Sequence, residues 1–157
     1  MTTQAKKPAD AISLLMKDHA EVKSKFAAYE KLGERAYVAK KNLAHEICHA
    51  LTVHTTAEEE IFYPAVEAKG KTEKDMTDEA YVEHASAKEL IAQILAMEPR
   101  DEFYDAKVKV LSEQIEHHVK EEEEEMFPKA RKDKLDLVDL GERIAARKEE
   151  IESSEPA

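Results

Sequence analysis

Four stretches of this chain share one device: an apolar stripe at helical spacing with a histidine set into its middle. Ile12, Leu15, His19, Val22 and Phe26 recur at intervals of 3 and 4 residues. Leu43, Ile47, Ala50, His54, Glu58 and Ile61 make a second stripe, and Ala80, His84, Ala87, Ile91 and Ile94 a third. Val108, Leu111, Ile115, His118, Glu122 and Met126 make the fourth. Such stripes are the core-facing sides of amphipathic helices. Turn formers are too scarce for a many-stranded sheet, with 3 Gly and 5 Pro in 157 residues. The predicted fold is all-α: an antiparallel up-down-up-down four-helix bundle with an additional C-terminal helix.

Residues 1–9 read as a flexible N-terminal tail, 10–132 as the bundle, and 133–157 as the C-terminal helix and its tail. Asp10 is the expected N-cap of a helix reaching about Leu32, with Gly33 as its stop. A second helix should run from about Glu34 or Tyr37 to Lys69, with Pro64 bending or ending it. Lys71–Asp75 reads as a polar loop before a third helix, Met76–Met97. A fourth helix, about Glu102–Ala130, follows a cap at Asp101. The last, about Leu135–Glu152, is expected to be broken or weakened at Gly141, with Ser153–Ala157 as a tail.

Charge narrows the partners. Against 35 acidic residues stand 24 basic ones, a net charge of −11. That sign repels phosphate backbones and anionic lipid, so neither nucleic acid nor membrane is expected to bind. No apolar run approaches the ~20 residues of a spanning helix, and Met1–Asp10 has no signal-peptide core. The single Cys48 has no internal disulfide partner. A cytoplasmic protein is expected, monomeric or weakly dimeric.

The second half echoes the first. Asp18-His19-Ala20 with Lys23 returns as Glu83-His84-Ala85 with Lys88, an offset of 65. His54, Glu58, Glu59, Glu60 and Pro64 return as His118, Glu122, Glu123, Glu124 and Pro128, an offset of 64. Two hairpins related by an approximate two-fold would bring His19, His54, His84 and His118 to one level, with Glu58 and Glu122 beside them. Residues four apart on a helix differ by only about 40° in direction, so each HxxxE pair can aim at one site. A buried carboxylate needs a partner, and two side by side repel. A pair of metal ions removes both costs, with the two Glu bridging and the four His as terminal ligands. Mixed imidazole and carboxylate donors suit iron, with manganese second. An oxo or hydroxo bridge would give five ligands each and leave a position for a small molecule.

Other candidates read differently. His45, His49 and His117 point away from the stripes and are expected at the solvent or rim. His45-Glu46-Ile47-Cys48-His49 spells the HExxH of zinc peptidases, but on the outward face of its helix, with no evident cleft. Glu46-x-x-His49 is also the only ExxH, where ferritin-like carboxylate centres need two. Asp18, Glu83, Glu59, Glu60, Glu123 and Glu124 are read first as surface charges, alternatively as groups that tune the site from outside. Tyr29, Tyr63 and Tyr81 are read as packing residues.

The segments KDH (17–19), HTTAEEEIFYP (54–64), VEHASAK (82–88) and HHVKEEEEEMFP (117–128) resemble the bacterial hemerythrin-like, HHE cation-binding class over about residues 10–132. The resemblance implies an oxo-bridged non-haem di-iron centre, with His19, His54, His84 and His118 as terminal ligands and Glu58 and Glu122 as bridges. Oxygen-carrying members have a further HxxxH on the third helix. Here Ala80 and Lys88 flank His84 at those positions, so a more symmetric and open centre is implied, and reversible oxygen carriage is not expected. Four-His relatives imply reaction with peroxide, oxygen or nitric oxide in stress response, with catalase-like turnover the most concrete version. The alternative is a sensor or iron-storage protein without turnover.

Overall fold

The computed structural model describes residues 9–154. The tails expected at the two ends lie mostly outside that range, in residues 1–8 and 155–157. Within it the elements are α1 (Ala11–Glu30), α2 (Tyr37–Ala57), a π-helical segment π1 (Glu58–Phe62), α3 (Tyr63–Glu67) and α4 (Lys71–Ala96). Then follow α5 (Tyr104–Glu121), a second π-helical segment π2 (Glu122–Met126), α6 (Phe127–Lys132) and α7 (Leu137–Ser154). Because α2, π1 and α3 are contiguous, as are α5, π2 and α6, there are five rods. Four make the bundle, and no strand occurs among the described residues.

Local chemistry explains most boundaries. Asp10 caps α1 by accepting the Ser13 N–H at 2.8 Å. Lys71–Asp75 belongs to α4 rather than to a loop. Lys71 pairs with Asp75 across one turn at 2.6 Å and Lys74 pairs with Asp78, so polarity there marks a solvated first turn. Asp101 does not cap α5. Its carboxylate accepts the Glu98 N–H at 2.9 Å and closes the preceding turn, while Phe103 enters the helix at φ 74°. Neither proline ends its rod. Tyr63 N–H bonds to Glu58 O and Phe127 N–H to Glu122 O, five residues back. This wider turn absorbs the donor that Pro64 and Pro128 lack, and the helix resumes at once.

The apolar residues fall into two clusters separated by the histidine belt. One joins Ile12, Leu15, Ile61, Phe62, Val66, Phe127, Leu140 and Ile144. The other joins Val22, Phe26, Ile47, Leu51, Ile91, Ile94 and Leu111. Each fully buried side chain of this size stabilises by about 1.5–3 kcal/mol, so the belt is clamped from both sides. Helix α7 packs along α1, α2 and π1 and is unbroken at Gly141. A Cβ at Gly141 would stand 2.6 Å from Ala9 O and 2.9 Å from Ala11 N. The glycine is there because the start of α1 passes directly over it. Ser153 and Ser154 are helical as well.

Candidate metal centre

His19 leaves α1 and His84 leaves α4. His54 and Glu58 leave the second rod one turn apart, and His118 and Glu122 repeat that arrangement on the fourth. All six are buried, Glu58 at 0% exposure and Glu122 at 2%. The His19 and His54 rings meet edge to face with centroids 4.9 Å apart, and His84 and His118 do so at 4.8 Å. The carboxylates lie between these pairs. Glu58 Oε1 is 2.9 Å from His54 Nε2 and 3.2 Å from His84 Nε2. Glu122 Oε1 is 3.3 Å from His19 Nε2, and its Oε2 is 3.0 Å from His118 Nε2. Each carboxylate therefore reaches one ring of both pairs, as a bridge between two cations would.

The other nitrogen of every ring is held from behind. His19 Nδ1 is 2.7 Å from Glu123, His54 Nδ1 2.8 Å from Asp18, His84 Nδ1 2.8 Å from Glu59 and His118 Nδ1 2.8 Å from Glu83. A carboxylate only accepts, so Nδ1–H donates, and in the neutral ring Nε2 keeps a lone pair aimed at Glu58 and Glu122. Acceptor then faces acceptor. His19 Nε2, His54 Nε2, both oxygens of Glu58 and Glu122 Oε1 have no hydrogen-bond partner. Buried groups of this kind are costly unless something positive sits among them. Protons answer the same demand. Burial would lower the His54 pKa, but the Glu58 charge and the bond to Asp18 push it up to about 10, and the added proton would make Nε2 a donor toward Glu58. His118 rises to about 11, as bonds to Glu122 and Glu83 overcome burial. Glu122 is held well below the usual carboxylate range despite burial, by His118 and His19 beside it. The ligand atoms of His19, His54, Glu58 and Glu122 lie within 4.8 Å of one another, as do those of Glu58, His84 and His118. The donor set fits metal cations.

Asp18, Glu83, Glu59 and Glu123 take the second of their two expected roles: each anchors a ring borne by another helix. Tyr63 is not merely packed. Its hydroxyl donates to Glu122 Oε2 at 2.6 Å and lies 3.1 Å from His84 Nε2 and 3.3 Å from His118 Nε2. The repeat held the signal: at the offset of 64, Phe127 replaces Tyr63. Phe127 stacks on His19 with centroids 5.9 Å apart. The phenol thus marks the His84–His118 side alone.

The remaining histidines stay outside. His49 bonds Glu152 of α7 at 2.9 Å, and neither it nor His45 joins a metal-fitting group among the described residues, so HExxH builds no site. His117 is exposed beside Glu83 and Glu121. Glu60 pairs with Arg147 at 2.8 Å. Asp18, besides holding His54, is gripped by Lys148 of α7. Lys88 does the same for Glu59 at 2.7 Å.

The Hemerythrin HHE cation binding domain model matches residues 10–130. The chain belongs to this family. The uncharacterized protein Rv2633c of Mycobacterium tuberculosis is 26% identical over 150 residues, 92% of this chain and 89% of that one. A DNA nickase of Nostoc sp. is 35% identical over 83 residues, 52% of this chain, which spans only 23% of the nickase's length. The crystal structure of an HHE domain-containing protein, the Rv2633c homolog from Mycobacterium kansasii, shares the fold. Its TM-score is 0.79 at 23% identity, over 93% of this chain and 89% of that one. The present chain is thus an HHE-family helical bundle whose His/Glu groups fit metal cations. None of its described helices is long and apolar enough to cross a membrane.

Proposed function

We propose that this HHE protein holds two iron ions through His19, His54, Glu58, His84, His118 and Glu122, and that the pair reacts with a small oxidant, peroxide first. The observation that carries this reading is a cavity of about 20 Å³ beside the centre. All four imidazoles line it, with Val22, Leu51, Ile115 and Val119 among its walls. That is room for about one water-sized molecule. Peroxide, dioxygen and nitric oxide approach that size; organic substrates do not.

Bound iron would supply redox equivalents and Lewis acidity. The protein supplies the rest. The four rear carboxylates fix each ring with Nε2 inward. Glu58 and Glu122 span the two halves. Val22, Leu51, Ile115 and Val119 restrict water. Tyr63 keeps its proton, because burial and the charges of Glu122 and Glu58 raise its pKa well above the usual phenol value. It can therefore donate a hydrogen bond on the His84–His118 side. Disproportionation turns two peroxides into two waters and one dioxygen, and a fixed donor at the centre serves the proton movements.

The test is iron content followed by oxygen evolution from peroxide. Two irons per chain are expected, with turnover abolished in His54→Ala. Iron bound with no oxygen evolved would make the protein a sensor or store. A fully folded protein that takes up no metal would end the reading.

A further inference from the structure

The two halves of the bundle differ most where the repeat should be most alike, at the outer surface beside each ring pair. Between α4 and the α5–π2 rod a cleft opens to solvent. Glu79, Glu83, Glu121 and Glu125 line it, and His118 and Glu122 are its buried inner wall. Glu122 Oε2 lies on this side, 3.0 Å from His118 Nε2, while its Oε1 faces His19. At the rim, His117 Nε2 stands 3.0 Å from Glu121 and 3.7 Å from Glu83. One ligand atom from each of these three lies within 4.8 Å of the others, a second grouping able to hold a cation. Glu83 belongs to both places, since its Oε1 holds His118 Nδ1 while its Oε2 faces His117. Four carboxylates, Glu79, Glu83, Glu121 and Glu125, share this one cleft.

The matching flank of the other half is lined differently. At the repeat offsets, Glu79, His117, Glu121 and Glu125 become Leu14, Val53, Ala57 and Ile61. Ala57 and Ile61 lie in one apolar cluster with Leu140 and Ile144 of α7, and Leu14 packs against it. One flank is therefore apolar and covered by the last helix. The other is acidic, uncovered and leads to a buried carboxylate.

We propose that the α4–α5 cleft is the loading port of the metal centre. A divalent cation is first held by Glu83, His117 and Glu121, and then passes inward to Glu122 and His118. This rests on the two-metal reading above. The chemistry that recognises the cation is three ligand groups with a partly hydrated ion, in a field that raises its local concentration. The ion enters without oxidation or reduction.

The test follows cobalt(II) entering the chelator-stripped full chain by stopped-flow absorbance. In His117→Ala/Glu121→Gln, loading should slow by about tenfold or more, the lower range of electrostatic steering. The final stoichiometry and spectrum should equal wild type. Raising ionic strength should slow wild type more than the variant. Glu113→Gln, an exposed charge elsewhere on α5, serves as the control of equal charge change, since His117 is neutral near pH 7. An unchanged rate in the port variant, or an equal slowing in the control, overturns the proposal. So does a lowered final stoichiometry, which would make His117 or Glu121 part of the centre itself. Failure of wild type to take up cobalt at all would instead remove the two-metal reading, and the port with it.

Discussion

Each inward-facing imidazole is fixed by a carboxylate from a different helix, and that cross-bracing decides what single substitutions do. Asp18→Asn keeps the shape but can turn an oxygen or an amide toward His54. It should weaken metal binding by about 10–100-fold while leaving the fold intact, measured by competition with a chelator. Tyr63→Phe makes the two halves alike at this position. Iron content should stay at wild-type level while peroxide turnover falls by about 100-fold or more, the usual worth of a positioned proton donor. Turnover equal to wild type would return Tyr63 to a packing role. The six inward residues were legible because helical period and duplication both point at them. The four rear carboxylates were legible only as one of two readings, since a stripe shows one helix at a time and Asp18 serves a ring 36 positions away. Tyr63 could have been found by asking where the two copies differ.

At the scale of elements, the π segments place Glu58 and Glu122 at the first residue of a widened turn, with a proline six positions on in each. A pattern reader tracking a period of 3.6 sees only the proline and expects a bend or an end. The break expected at Gly141 failed for a related reason: the glycine answers to a neighbouring backbone, which is invisible along one chain. Lys134 ends the fourth rod at φ 57°, where a side chain is strained and glycine is not. Lys134→Gly should stabilise by about 1 kcal/mol, read as a higher melting temperature. Ile144→Ala, at 0% exposure on α7, should cost about 2–5 kcal/mol, read in urea unfolding.

For the whole molecule, the interior switches between two kinds of positive charge. In the stripped protein, His54 and His118 titrate near 10 and 11 when folded. Both values lie above the ordinary imidazole pKa of about 6.5. A raised folded pKa gives stability that is full below about 6.5 and is lost as pH rises through about 10–11. The stripped protein should therefore melt at progressively lower temperature between pH 7 and 10. The loaded protein responds in the opposite sense, because protons compete with the metal and uptake weakens as pH falls. Melting curves of both forms across that range check the crossing; parallel curves would contradict it.

The grip of Lys148 on Asp18 makes the last helix more than a cover. Its ammonium steadies a carboxylate that in turn steadies His54, so a nick or truncation within that helix would be felt first at the His19–His54 position. The His84–His118 position takes its equivalent cation, Lys88, from within the bundle. With the two ions proposed above, a protein shortened before Arg143 should therefore release them unequally, one early and one late, turning a symmetric-looking vessel into a two-stage one.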